Sequence, residues 1–478
     1  MHNSFRAAFL VIICLILVQL QLVGQHQEVN EKPAIWGKEI GDSRDSSSVL
    51  YALKSGKTQG HFRYFFSSTD NSGILTDYYA NAFGGGLRYE SGKFHGFQLG
   101  TSGFYVFNIG SSDLTKVDSS TNQVNRYELG LFDIQNPSNR NDIDRLEEFF
   151  LKYSYRNSFI RFGRQLINTP FINLQDGRMR PTSTEGLWFE FNEVKKLELS
   201  GGWIYAISPR STAKWFRTAE SVGVYAMGVS TNGKKSNYAN QLQSDGVLMF
   251  GAKYKPKKWL TITTWDLLFE NVMNTAFVQT DLEFSNKKNL TFLGSFQAIR
   301  QDAINHGGNP DVDLTYIDQG AKSNSFGAKA GLRKGKVEFT LNYNRIFDSG
   351  RYLMPREWGR DPFFTFLSRE RNDGLGDVHA LVGKLSILLP KNGLKINIGG
   401  GYFKLPDVKN FVLNKYGLPS YSQINIDARY EFKGIFKGLE GQFLYVMKFN
   451  QGETYNDLRY TFNKVNMSLL NVVLNYHF

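Results

Sequence analysis

Cysteine is nearly absent. The single one in 478 residues, Cys14, lies inside an N-terminal apolar run and lacks the small residues that precede a lipoprotein cysteine. A mature chain without that run has no thiol. That excludes a disulfide framework, a thiolate metal site and a cysteine nucleophile. Long apolar runs are missing too. Beyond residues 7–18 none reaches the roughly 18 residues of a helical membrane span. Metal-type spacing is lacking: His61, His95, His306, His379 and His477 form no ligand pattern. The stretch from Gly86 to Lys93 has the wrong spacing for a phosphate loop, and no Ser sits in a nucleophile elbow. The chain therefore reads as a non-enzyme with no cofactor and no metal. Clusters of basic residues are absent as well. A net charge of +12 calls for an anionic partner. Lys and Arg are nevertheless scattered singly through the chain, which speaks against nucleic acid and for lipopolysaccharide or small anions.

What the chain does have is aromatic residues in alternation. It holds 39 Phe and 24 Tyr, yet its mean hydropathy is −0.35. A barrel with a lipid-facing outside and a wet inside combines these properties, because only every second strand residue meets lipid. Ile424, Ile426, Ala428, Tyr430 and Phe432 fall on one face of a strand, opposite Asn425, Asp427, Arg429 and Glu431. Val337, Phe339, Leu341 and Tyr343 oppose Glu338, Thr340, Asn342 and Asn344 in the same way. Short turns rich in Gly, Pro, Asn and Lys fall at 91–93, 157–158, 193–196, 255–258, 286–289, 334–336, 390–393 and 433–438. Eight such turns, with a strand to start and a strand to finish, predict about eighteen antiparallel strands. The run at 221–229 is assigned to a loop, since a strand there breaks the up-down parity.

The expected organisation is a signal peptide at 1–24, with Arg6 ahead of its apolar core, an N-terminal periplasmic arm at 25–59, and the barrel at 60–478. An exported chain of this kind belongs in the outer membrane of a Gram-negative cell. In the last strand Leu470, Val472, Leu474, Tyr476 and Phe478 share a face, and Phe478 ends the chain. A terminal aromatic on an alternating strand reads as the signal for the barrel-insertion machinery, with Tyr476 and Phe478 as its key residues.

The stretch 159–191, FIRFGRQLINTPFINLQDGRMRPTSTEGLWFEF, joins two alternating runs through a charged, irregular middle. Pro170 and Pro181 restrict its backbone. This is what a constriction loop folded into the pore requires; the bland alternative is a surface loop on a soluble β-protein. Arg161, Asp176, Arg178, Arg180 and Glu185 are its candidate selectivity residues, and Lys152, Lys253, Lys329 and Arg333 on polar strand faces extend a basic track. A second charged loop spans 349–377 and holds Arg351, Arg356, Glu357, Trp358, Arg360, Asp361, Arg369 and Arg371. It either folds inward, caps the mouth, or grips lipopolysaccharide.

Three segments together resemble the OprD family of substrate-specific outer-membrane porins. They are GGGLRYESGKFHGFQLGTSGFY within 61–105, RFGRQLINTPFINLQDGRMRPTSTEG at 161–186, and ARYEFKGIFKGLEGQFLYVMKF at 428–449. The second carries the Asp176-Gly177-Arg178 step, Pro181 and the Glu185-Gly186 close. The ending LNYHF looks like that of Bacteroidetes-type outer-membrane proteins. The resemblance implies an eighteen-stranded barrel, monomeric with a trimer as the alternative. It also implies a ladder of basic side chains facing acidic ones, used for carboxylate-bearing solutes such as amino acids, small peptides or organic acids. A general or anion-selective porin, a barrel enzyme and a structural barrel are the rival readings.

Overall fold

The computed structural model describes Pro33, residues 35–37 and residues 45–478, apart from Asp142 and Asp176. The proposed signal segment at 1–24 and the candidate Asp176 lie outside the described residues. Among them no helix is long and apolar enough to cross a membrane; the chain crosses with strands.

Eighteen long strands form the wall. They are β1 (Lys57–Asn71), β2 (Tyr78–Glu90), β3 (Phe97–Ser111), β4 (Ile143–Tyr155), β5 (Ser158–Gln165) and β6 (Ser183–Phe191). Next come β7 (Leu197–Ser208), β8 (Val247–Lys257), β9 (Leu260–Phe269), β10 (Met273–Ser285), β11 (Leu290–Ala303) and β12 (Lys322–Lys334). The set ends with β13 (Val337–Ile346), β14 (Val378–Leu389), β15 (Leu394–Lys404), β16 (Tyr421–Glu431), β17 (Leu439–Asn450) and β18 (Met467–His477). Each pairs antiparallel with its sequence neighbour. β1 pairs with β18 from His61↔His477 to Asn71↔Met467, so the sheet closes and no long edge remains. All eight expected turns join consecutive strands, and 221–229 lies in a loop. The wall begins at Lys57, three residues before the expected Gly60.

Alternation sets the two faces. Ile424 and Ile426 are exposed on the outside, while Gln423, Asn425 and Asp427 between and beside them are buried in the lumen. The same holds for Phe339 and Leu341 against Thr340, Asn342 and Asn344. Register is locked because a slip of one residue would exchange these two sets. The C-terminus joins the seam. Phe478 and Gly60 exchange backbone hydrogen bonds of 2.8 and 3.1 Å. The Phe478 ring lies over Gly60, where a Cβ would come within 2.1 Å of it, and it stacks on Phe62 and Tyr476.

Short turns gather at one end of the barrel and long loops at the other. By the usual asymmetry of such barrels the long-loop end is extracellular. Both charged loops turn inward, beside the β3–β4 loop, whose Glu128 accepts from Ser67 and Thr69 on β1. The β5–β6 loop (166–182) buries Phe171, Ile172, Leu174 and Met179. The β13–β14 loop (347–377) buries Trp358, Phe363, Phe364 and Leu367. The second charged loop therefore plugs the lumen instead of capping the mouth. Its aromatic residues explain the choice: they need an apolar core, and the lumen-facing side chains of β6 to β15 supply one.

Candidate functional site

The two inward loops are fastened to each other. Asn173 donates its backbone N–H to the Trp358 carbonyl at 3.0 Å. Its side-chain amide donates to the Arg360 carbonyl at 2.9 Å and accepts the Arg360 N–H at 3.1 Å. The Thr182 hydroxyl donates to the Glu357 carbonyl at 2.6 Å. The wall fixes the far side of this plug. Gln297 on β11 donates to the Pro362 carbonyl, Gln423 and Asn425 on β16 donate to Ser368, and Lys448 on β17 donates to Arg369.

Between the plug and the wall formed by β1, β16, β17 and β18 lies a narrow gap, a cavity of about 50 Å³. Four arginines line it: Arg63 from β1, Arg178 and Arg369 from the two loops, and Arg429 from β16. Arg178 and Arg369 both have left-handed backbones, with φ of 51° and 71°. A non-glycine residue seldom adopts this conformation. Here it occurs at the two loop residues that present a guanidinium to the passage. Arg429 pairs with Asp427 at 2.9 Å, and Arg63 donates to Asn475 at 3.2 Å. Arg369 donates to Asn471 at 2.5 Å. Gln175 and Gln442 add neutral polar lining.

Arg178 is thus one of the expected constriction residues that does line the passage. Arg180, two residues on, has another position. Its Nε donates to both Glu147 carboxylate oxygens at 2.8 Å, and Nη2 also bonds Glu147. Arg145 holds the same carboxylate at 2.8 Å. The Arg180 guanidinium lies between the rings of Trp36 and Phe104, 4.4 and 4.3 Å from their centroids. Its Nη1 is 2.9 Å from His61 Nδ1. Because arginine can only donate, that nitrogen must accept, so the His61 proton sits on Nε2 facing Asn475 Oδ1 at 3.2 Å. Arg180 is a buried clamp between loop and wall. Trp36, from the arm read as periplasmic, reaches into the barrel to cover it.

Glu185 needs a correction. It is not a loop residue but part of β6, on the outward face with Leu187, Phe189 and Phe191. It pairs with Arg164 at 3.0 Å, and Tyr205 donates to it at 3.3 Å. A bulge on β7 puts Tyr205 between the partners of Glu185 and Gly186, and the pair lies on the outer surface near the rim.

The other candidates on the wall face the lumen. Arg161 lies over the Phe150 ring at 4.4 Å, and Lys152 reaches Glu90 at 3.9 Å. Lys253 pairs with Glu198 at 3.6 Å. Lys329 sits 5.1 Å from the Phe364 ring. Arg333 pairs with Glu338 and Glu283 at 2.7 and 2.8 Å. In the second loop Arg351 donates to the Val229 and Val412 carbonyls, tying three loops together. Arg356 pairs with Asp373 at 2.9 Å and lies 3.5 Å over the Tyr416 ring. Glu357 accepts the N–H groups of Gly223 and Tyr225. Arg360 lies over the Phe366 ring at 4.2 Å, and Asp361 accepts the N–H of Asn372 at 2.8 Å. These five hold the plug in shape. Burial, and then the neighbouring Asp373, push Asp361 above the usual carboxylate range. Burial, and then Asp361, push Glu370 up to about 8.

The family model described as outer membrane porin, OprD family, matches residues 53–366. The chain belongs to the OprD family. It is a Gram-negative outer-membrane porin, of a family that takes up small solutes and is not enzymatic. OprD-type solved structures share its barrel. OccK9 (OpdG) of Pseudomonas aeruginosa aligns with TM-score 0.69 at 14% identity, over 89% of this chain and 99% of that one. P. aeruginosa OpdK with vanillate aligns at 0.67 and 14%, over 89% and 99%. Acinetobacter baumannii OccAB4 aligns at 0.67 and 16%, over 89% and 98%. Comparison with curated proteins gives no match. Identity this low carries the fold and leaves the solute open.

Proposed function

We propose that this OprD-family channel gives facilitated diffusion to small solutes bearing a carboxylate, such as amino acids, small peptides or organic acids. The convergence of Arg63, Arg178, Arg369 and Arg429 on one passage carries the reading. Guanidinium groups grip carboxylates through a planar fork and stay charged at every relevant pH. Asp427 offsets part of that charge, and weak sites in series let a solute enter without trapping it. Lys152, Arg161, Lys253, Lys329 and Arg333 continue the basic track along the lumen, each beside an acid or a ring. The OpdK structure with vanillate fits the reading, since vanillate carries a carboxylate. In this reading residues 1–24 direct export, and the barrel works as a monomer. A liposome-swelling panel tests the proposal: amino acids and organic acids should enter faster than amides and sugars of equal size. Equal rates overturn it. A preference for chloride with no preference among organic solutes leaves an anion-selective porin instead.

A further inference from the structure

The outer surface of the barrel is not uniform at the extracellular rim. Outward positions near the long-loop ends carry Asp70 on β1, Asp144 on β4, the Arg164–Glu185 pair on β5 and β6, and Asp266 on β9. None of these gives an excess of positive charge. The five adjacent strands β11 to β15 differ. Arg300 and Asp302 on β11 lie opposite Asn324 and Lys322 on β12. Arg345 on β13 lies opposite His379 on β14, which lies opposite Lys404 on β15.

These residues share the outward face with exposed apolar side chains. Phe296, Phe326, Leu341, Leu381 and Tyr402 sit lower on the same strands, each 39–53% exposed. Neighbouring strands are about 4.8 Å apart, so Arg345, His379 and Lys404 span roughly 10 Å. Arg300 pairs with Asp302 at 2.5 Å and donates to Asn324 at 3.0 Å. Arg345 pairs with Asp377 at 2.7 Å. The Tyr343 hydroxyl and His379 Nδ1 are 2.8 Å apart. Lys322 and Lys404 are exposed and have no ion pair among the described residues. Four cations against two acids leave a local excess of positive charge. It stands directly above an apolar surface, on the side that meets lipid.

We propose that the outward face of β11–β15 at the extracellular rim binds the phosphate groups of an outer-leaflet lipid. Arg300, Lys322, Arg345 and Lys404 meet the phosphates, and the apolar residues below meet the acyl chains. The occupant must be amphiphilic, because the charged row and the apolar surface are continuous. A free anion uses only the first. The site lies outside the lumen, so it is independent of which solute the pore carries.

The test uses the full-length barrel in detergent, titrated with bis-phosphorylated lipid A, with its dephosphorylated form, and with inorganic phosphate as competitor. Bound lipid is read by native mass spectrometry. Wild type should prefer the bis-phosphorylated lipid, and Lys322→Ala with Lys404→Ala should reduce that preference about tenfold. Both side chains are exposed and outside any ion pair, so this variant keeps the fold, checked by heat-modifiable migration. Adding Arg345→Ala should reduce the preference further, and Arg164→Ala on the far side should leave it unchanged. Equal binding of the two lipids by wild type, or an undiminished preference in the double-lysine variant, overturns the proposal. Competition by inorganic phosphate at the same concentration as lipid also overturns it.

Discussion

Replacing Arg178 and Arg369 together by Ala removes the positive charge that the two inward loops contribute to the passage. Both positions have left-handed φ, where Ala is no more strained than Arg. The anchors of the plug survive. Ser368 and Arg369 are held through their backbone carbonyls by Gln423, Asn425 and Lys448, and Asn173 still ties the loops together. The variant should therefore fold. A monovalent anion about 5 Å from one guanidinium gains about 0.8 kcal/mol even at the dielectric of bulk water, or about fourfold in occupancy. Two such charges give about fifteenfold, reduced where salt screens across about 8 Å. Anion-to-cation permeability should fall by about threefold to fifteenfold, measured as a reversal potential across a planar bilayer under a salt gradient. Uptake of carboxylate solutes should fall with it, while conductance holds or rises because two bulky side chains are gone. Arg180→Ala should behave in the opposite way. It leaves Glu147 fully buried against Arg145 alone, at a cost of about 3–5 kcal/mol. Folded yield should drop while the reversal potential of the surviving channels stays put. A wild-type reversal potential in the folded Arg178/Arg369 double variant would refute the assignment of this passage as the selective one.

Three other outcomes test the remaining layers. Ile398→Arg places a charge on the lipid face at an exposed mid-strand position, costing about 2–4 kcal/mol at the membrane midplane; Asn397→Arg, one residue away, faces the lumen and should fold normally, and equal folded yields would sink the alternation argument. Deleting Phe478 removes its ring from Gly60 and Phe62 and should lower the amount of heat-modifiable barrel in the outer membrane, with wild-type levels counting against it as an assembly signal. Glu370, pushed up to about 8 by burial and then by Asp361, favours the fold while neutral. That contribution is full below the ordinary glutamate value of 4.5 and is lost as pH rises towards 8, so Glu370→Gln should unfold at a higher temperature than wild type at pH 9 and at nearly the same temperature at pH 4; a gap independent of pH would mean that Glu370 does not titrate in this window.

The wall was legible because its rule is local. Period-two alternation and turn chemistry act between residues a few positions apart, so all eight turns could be placed from composition alone. Glu185 shows the same rule left unapplied. Leu187, Phe189 and Phe191 alternate on one face, and one more step back along that face reaches Glu185. The segment TSTEG looked irregular only because Thr182, Ser183 and Thr184 are small polar residues buried under the plug. The interior obeys a different rule. Arg180 meets His61 across 119 positions, and Arg369 meets Asn471 across 102. Closure of the barrel creates those contacts, and no spacing announces them. Arg63 and Arg429 were within reach, since each sits on the polar face of an alternating strand and faces inward by parity. That they share one passage follows from β1 closing onto β18 and from the plug leaning on β6–β15, which leaves its gap on the opposite wall. The sequence offers Arg178 and Arg180 for one role, and the structure separates them. Arg178 and Arg180 look alike in the string GRMRP. A left-handed backbone aims the first into the gap, and a buried Glu147 on β4 takes the second. Which arginines face the gap is therefore a property of the closed wall and not of either loop taken alone.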